Sequence, residues 1–230
     1  MKLEWKLESR YQWLYYIKLC RTVQKGFFQQ IRAIVLPYLH EDGWFVPDYG
    51  LFVQKEFTEL LNKLPERPLM VINNEELIQM VADIWNEKLD LRRIEVQQIE
   101  ANQIWEHIYP NLVNFFPKLR EIEAWWVVPV SFGTFGSFCV EEVENKKIGI
   151  INYRIDKGIW HLFHCIYGIV TQYVMQADEM DLDAWTSRQA AMDMLMESSM
   201  IGEFFPEKKG IATLKYLDEY KVELVVKSAE

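Results

Sequence analysis

The chain has 230 residues, of which 50% are hydrophobic and 26% are charged, and its formal net charge is -9 at pH 7. A chain of this length and composition buries a substantial core, which excludes disorder over most of its length. Because neutralising nucleic acid requires clustered Lys and Arg, the acidic balance also argues against direct binding of DNA or RNA.

The first half of the chain is predicted to be mostly helical. Residues 8–39 carry apolar side chains at helical spacing, with Gly26 as a bend between two helices. Residues 36–50 contain two prolines and two glycines and predict a loop, after which the helical period resumes over 51–64. A short strand at 68–72 is expected to follow.

The predicted loop carries aromatic side chains between acidic ones. Trp44 and Tyr49 are the candidates for a protein-binding patch there, since aromatic residues on loops dominate many protein contacts. The alternative is that the loop folds down onto the helices and that these rings fill the core.

Two more helices are predicted, over about 74–87 and 101–116. Asn73, with Glu76 three residues later, matches the capping box that satisfies free amides at a helix start. Pro117 ends the second of these helices.

From Ile122 the pattern changes to short β-type runs rich in branched and aromatic residues, separated by turns at 133–136 and 144–147. Two long helices are predicted next, over about 157–175 and 186–200, and the tail 213–228 reads as a helix or a closing strand.

The predicted fold class is therefore α+β, with a helical N-terminal half and a small antiparallel sheet followed by two packed long helices. We divide the chain into a mostly helical region, 1–117, and a sheet-plus-helices region, 118–230, with one continuous domain as the alternative.

The helix predicted at 157–175 is apolar around most of its circumference, so it must be buried. Its polar positions recur at steps of three and four and therefore share one stripe. The stripe includes His161, His164, Cys165, Gly168 and Gln172.

The strand 147–155, a short turn and this buried helix resemble the zinc metallopeptidases of the zincin fold. In that family the strand is a sheet edge that pairs with a substrate peptide, and the helix carries an H-E-x-x-H motif. Laid over the motif, HCIYG at 164–168 puts His164 at the first metal-ligand position, Cys165 at the general-base position and Gly168 at the second ligand position. The resemblance spans residues 138–200.

The chemistry of the motif requires two imidazoles that grip Zn²⁺ and a carboxylate that deprotonates the bound water. Since one of these three residues is present, the resemblance implies a catalytically inactive metallopeptidase-like protein, a pseudoenzyme that binds protein or peptide. The peptide would lie beside the strand at Ile148, Ile150, Asn152 and Arg154.

A metal site with other ligands is an alternative. His161 and His164, together with Asp193 or Glu197 on the next helix, could hold zinc in a non-standard enzyme. Histidines on a buried helix are more often hydrogen-bonded to backbone or carboxylate groups, so no cofactor is expected. Close packing against a neighbouring element is the expected reason for Gly168.

A further alternative is an acidic interaction or inhibitor protein of unrelated α+β fold, which engages a basic partner through acidic and aromatic side chains. In each non-enzymatic interpretation the partner is a protein or peptide. The three cysteines have no paired spacing and the first residues lack an apolar leader, which predicts a cytoplasmic protein. No uninterrupted apolar run predicts a membrane span.

Overall fold

The computed structural model describes residues 1–24, 38–40, 42–46, 51–64, 74–84, 89–131, 137–175 and 182–205. The α-helices are α1 Ser9–Gln24, α2 Lys55–Leu61, α3 Glu75–Ile84, α4 Leu91–Phe115, α5 Ile159–Met175, α6 Leu182–Met196 and α7 Ser199–Gly202, and a 3-10 helix spans Pro117–Glu121. The strands are β1 Leu3–Trp5, β2 Tyr38–His40, β3 Gly43–Val46, β4 Leu51–Gln54, β5 Ala124–Val130, β6 Ser137–Val143 and β7 Lys146–Arg154.

The main sheet has four strands in the order β1-β5-β7-β6, and with the helices around it the predicted α+β class is confirmed. The sheet is mixed, which corrects the expectation of an antiparallel one: β1, β5 and β7 are parallel, and β6 pairs antiparallel with β7. The β6–β7 hairpin turns at Glu144 and Asn145, both with positive φ, as a two-residue hairpin requires.

The physical reason for the mixed sheet is that β5 and β7 are buried on both faces. Their apolar residues run almost without interruption, as in AWWVVPV, which is typical of parallel strands with helices on either side. The first residues of the chain supply the third parallel strand, β1, through the pairing of Leu3 with Trp125.

Helices cover both faces of the sheet. The α5 face, which carries Trp125, Val127, Ile151 and Tyr153, packs into one apolar cluster with residues of α4, α5 and α6. The α1 face, which carries Val128, Val130, Ile148 and Ile150, packs into a second cluster with residues of α1, α2 and α3. Both clusters contain residues from each side of position 117, so regions 1–117 and 118–230 share their cores.

A second sheet lies in the N-terminal half, with strand order β2-β3-β4 and antiparallel pairs throughout. The prediction of a loop over 36–50 is wrong for Tyr38–His40 and Gly43–Val46, which form a tight hairpin despite their prolines and glycines nearby. The helix predicted from residue 51 begins only at Lys55, because Leu51–Gln54 is the third strand of this sheet.

The long helices lie close to the predicted positions. α5, Ile159–Met175, was predicted at about 157–175, and α6, Leu182–Met196, was predicted about a turn later, at 186–200. α4 begins ten residues before the predicted start, where the Asp90 side chain accepts a hydrogen bond from the Arg93 amide. The Gly26 bend, the strand at 68–72, the Asn73 cap, the 133–136 turn and the tail 213–228 lie outside the described residues.

In the part of the chain that the structure describes, no helix combines the length and the apolar character that crossing a membrane requires.

Candidate functional site

The two histidines of α5 are buried side by side. His161 is 3% exposed and His164 is 6% exposed, and their ring centroids lie 5.9 Å apart at an interplanar angle of 18°. The half-buried Trp160 stacks on His164 at 5.4 Å. Trp160 also contacts His161, with centroids 5.9 Å apart at 46°, so the three rings form one aromatic cluster on the helix.

The pKa of His161 is lowered to about 3, mainly by burial and in smaller part by the charges of His164, Lys157 and Arg154, whereas Asp156 acts in the opposite sense. His161 is consequently a neutral imidazole at physiological pH. A neutral imidazole can coordinate a metal or accept a hydrogen bond, but it cannot serve as a proton donor to a substrate in this state.

Gly168 is packed against the sheet, one turn after His164. A Cβ built on Gly168 would lie 2.3 Å from the ring of Phe138 on β6, well inside the contact distance of two carbon atoms. The Arg188 guanidinium of α6 lies 5.3 Å from the centre of the same ring. The ring of Phe138 thus occupies the place into which the second ligand of an H-E-x-x-H motif would project.

The acidic candidates of the following helix are one turn apart and differ in burial. Asp193 is fully buried within α6, which packs on α5, whereas Glu197 follows the end of α6 and is exposed. Within the described ranges, no group of three or more His, Cys, Asp or Glu side chains is arranged to hold a metal ion. The structure brings His161 and His164 together but does not gather the four predicted ligands.

The strand proposed to pair with a peptide is an interior strand of the sheet, which corrects the expectation of an exposed edge. β5 pairs with β7 from Ile148 to Arg154, and β6 pairs with it from Lys146 to Asn152. The backbone groups that an added strand would need are therefore already used over most of β7.

The side chains of the predicted peptide-binding residues on β7 are in the core or are paired within the chain. Ile148 and Ile150 lie in the core of the α1 face, and Arg154 donates from Nε to Asp156 Oδ1 at 2.8 Å. Trp44 belongs to β3, opposite Val53 of β4, and Tyr49 lies outside the described residues.

A groove lies between α1 and the sheet on the α1 face. It contains a small, partly open cavity of about 30 Å³, and most of the side chains that line the cavity are buried. Helix α1 contributes Tyr11, Leu14, Tyr15 and Lys18, and the strands contribute Trp126, Val128, Ile150, Asn152, Cys139 and Glu141. Two of the predicted binding residues, Ile150 and Asn152, are therefore beside this groove rather than at a sheet edge.

The polar end of the groove is at β6. The Cys139 thiol donates to Glu141 Oε1 over 3.3 Å. Burial raises the pKa of Cys139 to about 12, while the nearby Lys18 ammonium lowers it and the Glu141 carboxylate raises it. Because the thiolate is the reactive form, this cysteine is a weak nucleophile near neutral pH.

The aromatic end of the groove is near β1. The rings of Tyr11 and Trp126 meet almost at right angles, with centroids 5.7 Å apart and an interplanar angle of 84°. Both side chains are half-buried, so each shows part of its ring to the solvent. We call this pair the aromatic corner.

Sequence reasoning did not identify the groove. Trp126 and Glu141 lie on predicted strands, but the side of the sheet that each faces depends on how the strands pair. Tyr11 was one of several aromatic residues on an amphipathic helix, and nothing in the sequence singled it out. The usable signal was the uninterrupted apolar run of β5, which predicts a second covered face of the sheet.

Comparisons of the chain with protein-family models, with curated proteins and with solved structures found no match.

Proposed function

We propose that this protein acts by binding a basic segment of a partner protein or peptide in the groove between α1 and the sheet. The observation that carries the proposal is the composition of the groove, whose lining includes three aromatic rings, from Tyr11, Tyr15 and Trp126, together with the Glu141 carboxylate and the Lys18 ammonium. Aromatic side chains with a carboxylate beside them favour cationic side chains.

The size of the groove supports a side chain as its occupant. Pockets that enclose small-molecule substrates measure roughly 300–1,000 Å³. The cavity here is about 30 Å³, which is room for a few heavy atoms at the tip of a side chain.

The charge of the chain supports a basic partner. A formal net charge of -9 attracts cationic segments over the distance of a Debye length and raises their rate of encounter. The groove would then orient the bound side chain, which would pack against the aromatic rings and contact the Glu141 carboxylate.

We also propose that residues 138–200 are a degenerate, metallopeptidase-like unit without catalytic activity. The order β6, β7, α5, α6 and the position of His164 support this relationship. The packing of Phe138 against Gly168 supports the absence of peptidase chemistry, since a second imidazole at that position would collide with the ring.

The binding proposal is tested by isothermal titration with tetralysine at about 0.15 M salt, where the Debye length is about 8 Å. Glu141→Gln should weaken binding about fivefold, because it removes one carboxylate that faces the bound cation. Glu95→Gln, on the exposed side of α4, is the matched control and should change the affinity less than twofold. Equal weakening by both variants would contradict the groove and indicate only a general effect of charge.

The pseudoenzyme proposal is tested by metal analysis of protein purified without chelator, alongside the His161→Ala, His164→Ala double variant. We expect the same substoichiometric metal content in both proteins. About one zinc per chain, lost in the double variant, would contradict the proposal and identify a metal centre on α5.

A further inference from the structure

The aromatic corner already holds a cation of the same chain. Lys6, which follows β1, places its Nζ 4.4 Å from the centre of the Trp126 ring and 5.8 Å from the centre of the Tyr11 ring. The Glu4 carboxylate accepts a hydrogen bond from the same Nζ at 3.0 Å. Two rings and a carboxylate thus surround one ammonium group.

The register of the sheet explains how these groups meet. Glu4 of β1 lies opposite Trp126 of β5, and the Lys6 amide donates to the Val127 carbonyl at 2.9 Å, which extends the pairing by one residue. Since Glu4 and Lys6 are two residues apart on an extended segment, both side chains point to the α1 face, beside Tyr11.

The chemistry of the corner is that of a cation-binding site. Lysine ammonium groups are attracted to the faces of Trp and Tyr rings, and cages of such rings recognise methylated lysine in other proteins. The carboxylate of Glu4 adds a charge-assisted hydrogen bond. None of these three groups distinguishes the ammonium of Lys6 from that of another chain.

Lys6 is held in a way that permits exchange. Its side chain is 22% exposed and the side chain of Glu4 is 49% exposed, so the ion pair is at the surface and is screened by salt. Tyr11 and Trp126 also line the groove cavity, so a segment bound in the groove reaches the corner directly.

We propose that the corner formed by Tyr11, Trp126 and Glu4 is a lysine-binding site, which Lys6 fills in the free protein and a lysine of the partner occupies in the complex. This inference rests on the proposed function and specifies the group that the groove recognises. Lys6 acts as an internal competitor, so it lowers the affinity for the partner and excludes segments without a lysine at that position.

The experiment compares Lys6→Ala with Lys2→Ala in titrations with tetralysine. Both variants remove one positive charge from the first residues of the chain, but the Lys2 ammonium pairs instead with Glu106 on α4, at 3.9 Å. Lys6→Ala should bind tetralysine about tenfold more tightly than Lys2→Ala, because it also removes the competitor. Circular dichroism verifies that both variants are folded.

A second probe isolates the corner. In Lys6→Ala, n-propylammonium should bind and shift the indole N–H resonance of Trp126, whereas n-propanol, its uncharged analogue, should not. Adding Trp126→Phe should weaken n-propylammonium binding severalfold, because Phe is a poorer cation acceptor than Trp.

The outcomes separate the two proposals. If Lys6→Ala and Lys2→Ala bind tetralysine equally and n-propanol binds as well as n-propylammonium, the lysine site is overturned, although the groove can still be the binding surface. If Glu141→Gln leaves tetralysine binding unchanged, the groove proposal fails, and the lysine site fails with it as a partner site.

Discussion

The two faces of the main sheet bury similar kinds of side chain but pack them differently. On the α5 face four aromatic residues are fully buried, with exposed fractions of 0%: Trp125, Tyr153, Phe163 and Tyr167. On the α1 face Tyr11 and Trp126 remain half-buried around a groove that contains charged groups. Both faces have a buried core, and the difference is local: on the α1 face two rings beside the cavity remain partly accessible to solvent.

The largest loss of stability is expected from a substitution that enlarges Gly168. Gly168→His, which places a histidine where an H-E-x-x-H pattern has its second ligand, should destabilise the protein by about 3 kcal/mol, because the new side chain collides with Phe138. The free energy of unfolding is measured in urea.

Gly158→Ala is the control for this substitution, since Gly158 has positive φ but no atom within 4 Å of a built Cβ. Its cost, of order 1 kcal/mol, should come from the backbone alone. Phe138→Ala should relieve the collision of Gly168→His and leave the cost of Gly158→Ala unchanged. Equal costs for the two glycine variants would show that the α5 face is not tightly packed.

A smaller effect is expected from the pH dependence of stability. Burial lowers the pKa of His161 to about 3 in the folded state, whereas an unfolded histidine titrates near 6.5. Below about pH 6.5 His161 binds a proton in the unfolded chain but not in the folded chain. The free energy of unfolding therefore falls on acidification. His161 alone should contribute a loss of about 2 kcal/mol between pH 7 and pH 5.

The measurement is urea unfolding at both pH values for the wild-type chain and for His161→Gln, whose loss on acidification should be smaller by that amount. His107→Gln, at an exposed position of α4, serves as the matched control and should keep the full loss. An unchanged pH dependence in His161→Gln would mean that water reaches the stacked histidines.

The smallest changes in stability are expected for two buried tyrosines of the α5 face, Tyr167 and Tyr153, and they should have opposite signs. The Tyr167 hydroxyl has no hydrogen-bond partner among the described residues, so Tyr167→Phe should stabilise the protein by about 1 kcal/mol. The Tyr153 hydroxyl donates to Gln97 Oε1 at 2.5 Å, so Tyr153→Phe should destabilise it by about 1 kcal/mol. Thermal unfolding in a calorimeter gives both values, and the same sign for both variants would contradict a dry α5 face.

The sequence was sufficient for elements whose periodicity is strong and local. α5 was predicted at about 157–175 because apolar side chains surround it, and it spans Ile159–Met175; the reason for Gly168 was anticipated as close packing. The β6–β7 hairpin was also predictable, since Glu144 and Asn145 separate two runs of β-type residues.

Long-range pairing was beyond the same reasoning. Nothing in residues 3–5 by themselves indicates that they pair with β5, and without that pairing Trp126, Glu4 and Lys6 have no common location. The prediction of an edge at β7 failed for a related reason: local pattern identifies a strand, but its position in the sheet depends on partners distant in sequence.

The placement of β1 has a consequence for synthesis of the chain. Leu3 pairs with Trp125, more than a hundred residues later, so the first strand has no partner until β5 has left the ribosome. Closing so long a loop is slow, which makes docking of the N-terminal strand a late step in folding. Until that step the ring of Trp126 cannot meet Lys6, and we expect nascent chains to expose apolar surface of β5 that chaperones bind.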